Sequence, residues 1–127
     1  MKQIISTTKA PAAIGPYNQG TSFEKLAFLS GQIPLNPETM EIVEGGVKEQ
    51  TRQVMENLKA VLEEANSSYA NVLKTTCYLS DMDNFVAFNE VYAEYFGADD
   101  APARATVAVK TLPKNVLVEV DAIAFKN

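Results

Sequence analysis

Histidine and tryptophan are both absent from the 127-residue chain, cysteine occurs once, and no basic block or long apolar run is present. Without histidine, every Ser-His or Cys-His nucleophile pair, every HExxH zinc site and every imidazole general base is excluded. Acid–base chemistry must then fall to a carboxylate, Tyr, Lys or a group on the substrate itself. Cys77, the one cysteine, excludes an internal disulfide and fits a reducing compartment. With no imidazole to activate it, its thiol reads as a small buried hydrophobe on a strand.

Eleven Lys and Arg against sixteen Asp and Glu leave a net charge of -5, and the sequence pI is about 4.7. Such a surface repels a phosphate backbone on average, and the scattered cations form no local patch, so nucleic acid is disfavoured as a partner. Met1 to Gly15 is too polar for a signal-peptide core, and nothing approaches the roughly 20 apolar residues of a membrane span. A cytoplasmic protein with no membrane partner is expected. No repeat, low-complexity tract or linker divides residues 1–127, and 46% apolar composition suits one domain with a substantial core.

Gln3 to Ser6 reads as a short strand, Lys9 to Gly20 as a loop punctuated by Pro11, Gly15 and Pro16, and Leu26 to Ser30 as a strand closed by Gly31. Val47 to Ala65 is the clearest helix: Val47, Thr51, Val54, Met55, Leu58, Val61, Leu62 and Ala65 recur at three- and four-residue spacing on one face. Val72 to Ser80 is rich in β-formers. A second helix spans Asp83 to Phe96, with Ser80 or Asp81 as its cap, an aromatic stripe from Phe85 to Phe96, and Gly97 as its stop. Arg104 to Lys110 and Val116 to Phe125 read as two strands around a Leu112-Pro113-Lys114-Asn115 turn. The predicted fold class is α+β, a sheet with both helices on one face.

Period-two alternation places Arg104, Thr106, Ala108 and Lys110 on one side of their strand. In the last strand it separates the apolar Val116, Val118, Val120, Ala122 and Ala124 from Leu117, Glu119, Asp121, Ile123 and Phe125. If the two strands pair, Arg104, Thr106 and Glu119 bring a cation, a hydroxyl and a carboxylate onto facing positions. Arg suits a carboxylate ligand through its planar fork, and Glu119 could orient or deprotonate a water. The same residues also fit an ordinary cross-strand ion pair, worth about 0–1 kcal/mol at a surface. The mixed apolar and acidic face of the last strand fits a subunit interface with a polar pocket.

Separated blocks carry a family resemblance. Pro102-Ala103-Arg104-Ala105-Thr106-Val107, Leu112-Pro113 and Val118-Glu119-Val120 resemble the C-terminal signature of the Rid (YjgF-like) family. Ala12 to Gly20, Ser30-Gly31-Gln32-Ile33-Pro34, Gln50 to Leu58, Lys74-Thr75-Thr76 and Phe88-Asn89-x-x-Tyr92 resemble its other blocks, so almost the whole chain is covered. The resemblance implies a chorismate-mutase-like homotrimer with a pocket in each subunit interface. It implies hydrolysis of short 2-imino acids, 2-iminobutanoate and 2-iminopropanoate, to 2-keto acids and ammonia, with no metal or organic cofactor.

By position, Arg104 matches the family's carboxylate-gripping arginine, and Glu119 the glutamate assigned to the hydrolytic water. Tyr17, Ser30, Gly31, Asn89 and Thr106 match pocket-lining positions. Thr106 stands where many members carry Cys, which argues against an essential thiol. Branches of the family that lack the arginine are not expected to deaminate; this chain keeps it. The rival reading is a non-catalytic trimer that holds 2-keto acids in a regulatory role. RNA cleavage, ascribed to some relatives, sits poorly with the acidic balance and absent histidine. A chorismate mutase would ask for more than one pocket cation.

Overall fold

The computed structural model describes residues 1–127. Six strands, β1 (Gln3–Ile5), β2 (Gly20–Phe23), β3 (Leu26–Gln32), β4 (Val72–Leu79), β5 (Ala103–Ala108) and β6 (Val118–Phe125), form one sheet in the order β1-β2-β3-β6-β4-β5. Every neighbouring pair is antiparallel except β4 and β5. Helices α1 (Val47–Glu64) and α2 (Phe85–Tyr95) lie side by side on one face.

The predicted stripe of α1 is the buried one: Val54, Met55, Leu58, Val61 and Leu62 are at most 1% exposed. They pack on Val118, Val120, Ala122 and Ala124 of β6 and on Ala27 and Leu29 of β3, the inward set that period-two alternation selects. Asp81 caps a 3-10 turn at Met82–Asn84 that feeds α2, accepting the Asp83 N–H at 2.8 Å. Phe88, Tyr92 and Phe96 bury in the core, while Phe85 and Tyr95 lie partly buried at its margin. Phe96 is already extended, so α2 stops one residue short of the expected Gly97.

Two readings need correction. A strand at Gly20–Phe23 lies where none was expected; it pairs with β3 across the tight turn at Glu24-Lys25, where Glu24 takes a φ of 54°. More consequentially, β5 and β6 are not neighbours, because β4 runs between them. The segment 109–117 straddles the end of β4: the Val109 N–H donates to Leu79 O at 2.9 Å, and the Ser80 N–H to Leu117 O at 3.1 Å. The crossover through α2 sets β5 parallel to β4 at the sheet edge, as a β-α-β connection does.

Candidate functional site

The pairing of β5 with β4 decides where Arg104 points. Thr75 stands opposite Arg104 and Cys77 opposite Thr106 in the ladder, and laterally paired residues share a face. Thr75 and Cys77 are buried under the helices, so Arg104 and Thr106 lie on the helix-bearing side, at the open edge of the sheet. Glu119 pairs with Tyr78 on the uncovered side. In one chain, therefore, Arg104 and Glu119 occupy opposite faces of the sheet with β4 between them. The facing arrangement expected from a β5–β6 hairpin does not exist, nor does the cross-strand ion pair.

Around Arg104, α2 supplies the partners. Its Nη1 donates to Asn89 Oδ1 at 2.7 Å, and its guanidinium carbon lies 4.8 Å from the Tyr92 ring centroid and 5.5 Å from that of Phe85. No carboxylate pairs with it; the ion pairs of the chain are Lys48–Glu90 and Arg52–Glu94, which tie α1 to α2. A recess of about 330 Å3 opens beside the guanidinium, walled by Asn89, Tyr92, Phe96 and Pro102. Thr106 Oγ1 is buried without a hydrogen-bond partner, a state that costs about 1–3 kcal/mol unless a group is there to meet it. Sequence reading put Phe85 and Tyr92 in the core stripe only. Their spacing with Asn89, i, i+4 and i+7, was the available signal that all three share a helix face.

Glu119 is surrounded by a different set. The register of β3 against β6 slips by one residue between Leu29 and Gln32, a β-bulge that puts Ser30 and Gly31 together opposite Asp121. A β-carbon on Gly31 would overlap the Glu119 carboxylate, so a larger residue there would push that carboxylate out of its present position. Ser30 Oγ donates to Asn18 O at 2.5 Å, fastening the preceding loop to the bulge. Tyr17, exposed on that loop, shares a depression of about 370 Å3 with Ser30 and Phe28. Burial pushes the Glu119 carboxyl above its ordinary value, and the Asp121 charge raises it further. Tyr78 donates from its hydroxyl to Asp121 Oδ2 at 3.3 Å.

The seven predicted residues thus fall into two groups on opposite faces: Arg104, Asn89 and Thr106 in one, and Glu119, Ser30, Gly31 and Tyr17 in the other. The largest depression in the molecule, about 490 Å3 along α1, contains none of them and is lined almost wholly by polar side chains such as Gln53 and Glu63. No three Cys, Asp or Glu side chains converge as metal ligands. Cys77 is buried, and burial raises its thiol to about 11, so it stays protonated.

Known proteins resemble this chain in sequence and fold over nearly its whole length. A family model described as endoribonuclease L-PSP matches residues 7–126. A RutC family protein of Pyrococcus horikoshii is 54% identical over 126 residues, 99% of either chain. A mouse protein named 2-iminobutanoate/2-iminopropanoate deaminase is 44% identical over 126 residues, covering 99% of this chain and 93% of its own. The crystal structure of E. coli TdcF with bound serine superposes with a TM-score of 0.92 at 42% identity, over 98% of this chain and 99% of that one. The match to the family model across nearly the whole sequence, on the same fold of six strands and two helices, places the chain in the Rid (YjgF-like, endoribonuclease L-PSP) family.

Proposed function

We propose that residues 1–127 act as one domain that hydrolyses short 2-imino acids, 2-iminobutanoate and 2-iminopropanoate, to 2-keto acids and ammonia. The unpaired guanidinium of Arg104 carries this reading: held by Asn89 and two aromatic rings and facing an open recess, it suits the fork-on-fork grip of a carboxylate. A relative named for imine deamination and another named a reactive intermediate deaminase support the chemistry, and a relative with bound serine supports a small carboxylate-bearing ligand.

An imine beside a carboxylate is already electrophilic, and protonation at nitrogen makes it more so. Hydrolysis then needs a held substrate and a placed water. Water attacks C2 and its proton passes to Glu119, which returns it to the carbinolamine nitrogen. The carbinolamine then collapses as its hydroxyl proton passes to the freed carboxylate, breaking the C–N bond and leaving ketone and ammonia. Because Arg104 and Glu119 of one chain face away from each other, the reaction requires the Glu119 group of a neighbouring chain. A head-to-tail ring of three copies supplies one such junction per chain. The uncovered sheet face supports association, since Ile4, Phe28, Val107 and Phe125 are all at least 40% exposed on it. Of the apolar set expected there, Ile123 is half-covered, and Leu117 lies just ahead of β6 with its N–H donated to Gln50 Oε1.

Sedimentation equilibrium at micromolar concentration is expected to give the mass of three chains; a monomer would remove both the assembly and the composite site. The activity itself is tested by adding purified protein to a mixture in which an amino-acid dehydratase releases 2-iminobutanoate, and measuring how fast imine becomes keto acid. Keto-acid binding without acceleration would instead favour the non-catalytic trimer, and cleavage of added RNA a ribonuclease.

The charge beside Glu119 provides a separate check. Asp121→Asn is expected to leave turnover at neutral pH within a few-fold of the parent while moving the acidic limb of the pH–rate profile to lower pH. Removing the like charge lets Glu119 lose its proton earlier. A limb that stays in place, or moves up, would mean that another group titrates.

A further inference from the structure

Arg104 is exposed, yet its guanidinium is held by a closed circuit of contacts. Its backbone lies beside Thr75 in the β4–β5 ladder. Thr75 Oγ1 and the Tyr92 hydroxyl are hydrogen-bonded at 2.7 Å in the interior, and the Tyr92 ring carries the guanidinium. That ring is clamped in turn: Tyr92 is 6% exposed and sits between Phe88, 5.4 Å away by centroids, and Phe96, 4.7 Å away.

We infer that Tyr92 is a positioning residue for Arg104, its ring, clamped between Phe88 and Phe96, fixing the plane in which the guanidinium meets a carboxylate. The inference rests on Arg104 being the carboxylate anchor proposed above. Two parallel N–H···O bonds form only when fork and carboxylate share a plane. An arginine left free in water surrenders its rotamer freedom on binding; one stacked on a fixed ring has surrendered it on folding, and affinity rises accordingly. Phe85 and Asn89 restrain the same group from the other helical turns of α2, but neither is clamped between two buried rings as Tyr92 is.

Pyruvate serves as the probe, with its binding followed by calorimetry and the Arg104 Nε–H followed by NMR. In the parent the Nε–H is expected to show a ring-current shift from Tyr92. Tyr92→Leu is expected to weaken pyruvate binding about three- to thirtyfold, the range of a cation–π contact, and to move the Nε–H signal toward that of free arginine. Tyr92→Phe keeps the ring and is expected to lose no more than about threefold, with the signal still shifted. Phe85→Leu, at a half-buried site on the margin of the core, is expected to show the same two changes in smaller measure. Tyr92→Leu binding pyruvate within twofold of the parent would overturn the inference. So would lost affinity with an unmoved Arg104 signal, or a Tyr92→Phe variant as weak as Tyr92→Leu. If Tyr92→Leu does not fold, a parent Arg104 Nε–H signal at the position of free arginine overturns the platform instead. Arg104→Lys decides between the two levels: unchanged pyruvate affinity there removes the anchor and the platform with it. Weakened affinity there beside a normal Tyr92→Leu removes the platform alone.

Discussion

Arg104→Lys is expected to lower kcat/KM for 2-imino acid hydrolysis roughly a hundredfold or more while leaving the fold and assembly unchanged. Lys keeps the charge but is a point donor; it cannot offer two parallel N–H groups in one plane, and it is a poorer match to Asn89 Oδ1 and the Tyr92 face together. One charge-assisted hydrogen bond lost and the other misaligned cost about 3 kcal/mol, which is the expected factor. The fold should tolerate the change because Arg104 is exposed and pairs with no carboxylate of its own chain. Near-normal steady-state rates in the variant would show that Arg104 does not anchor the substrate. An unfolded variant in thermal melts would assign it a structural role.

Glu119→Gln is expected to reduce turnover about a hundredfold or more, the usual scale for a lost acid–base group, and to leave 2-keto acid binding intact or tighter. The neighbouring Asp121 gives the contrast, since its amide variant removes the same charge two residues away on the same face and should cost only a few-fold. Linkage supplies a second signature. Burial and Asp121 hold the folded-state pKa of Glu119 above its unfolded value, so the folded chain binds this proton more tightly. The ionised carboxylate therefore subtracts from stability once pH rises past the unfolded value. Glu119→Gln should consequently melt no lower than the parent at neutral pH. Equal modest losses of turnover in Glu119→Gln and Asp121→Asn would move the base elsewhere.

The two inactive variants together test the division of the site between chains. In the ring of three proposed above, each junction would take Arg104 from one copy and Glu119 from the next. Random exchange of equal amounts of Arg104→Lys and Glu119→Gln chains rebuilds roughly a quarter of the junctions with both groups intact. Recovery of activity on that scale is expected after subunit exchange. No recovery, with exchange verified by mass, would place both groups in one chain's site, which the opposite-face geometry of Arg104 and Glu119 does not allow without refolding.

Much of this architecture follows from local pattern. The three- and four-residue spacing from Val47 to Ala65 identified α1 and its buried face, because a helix sorts side chains by a period that needs no knowledge of the partner. Alternation along β6 placed Val118, Val120, Ala122 and Ala124 inward and Glu119 outward for the same reason. The absence of histidine alone removed whole classes of chemistry. What alternation cannot supply is the phase of one strand against another. Arg104 and Thr106 were correctly grouped with each other, but whether their side is Glu119's side depends on which strand β5 joins. That choice is made by the α2 crossover and by the segment 109–117 passing over the end of β4, both long-range. The bulge that turns Ser30 and Gly31 toward Glu119 and the ring beneath Arg104 are of the same kind. The sequence by itself determined which residues are candidates for the chemistry and which faces of α1 and β6 are apolar. Only the tertiary structure decided that those residues lie in two groups facing away from each other, because register between distant strands is set by the packing of the whole sheet.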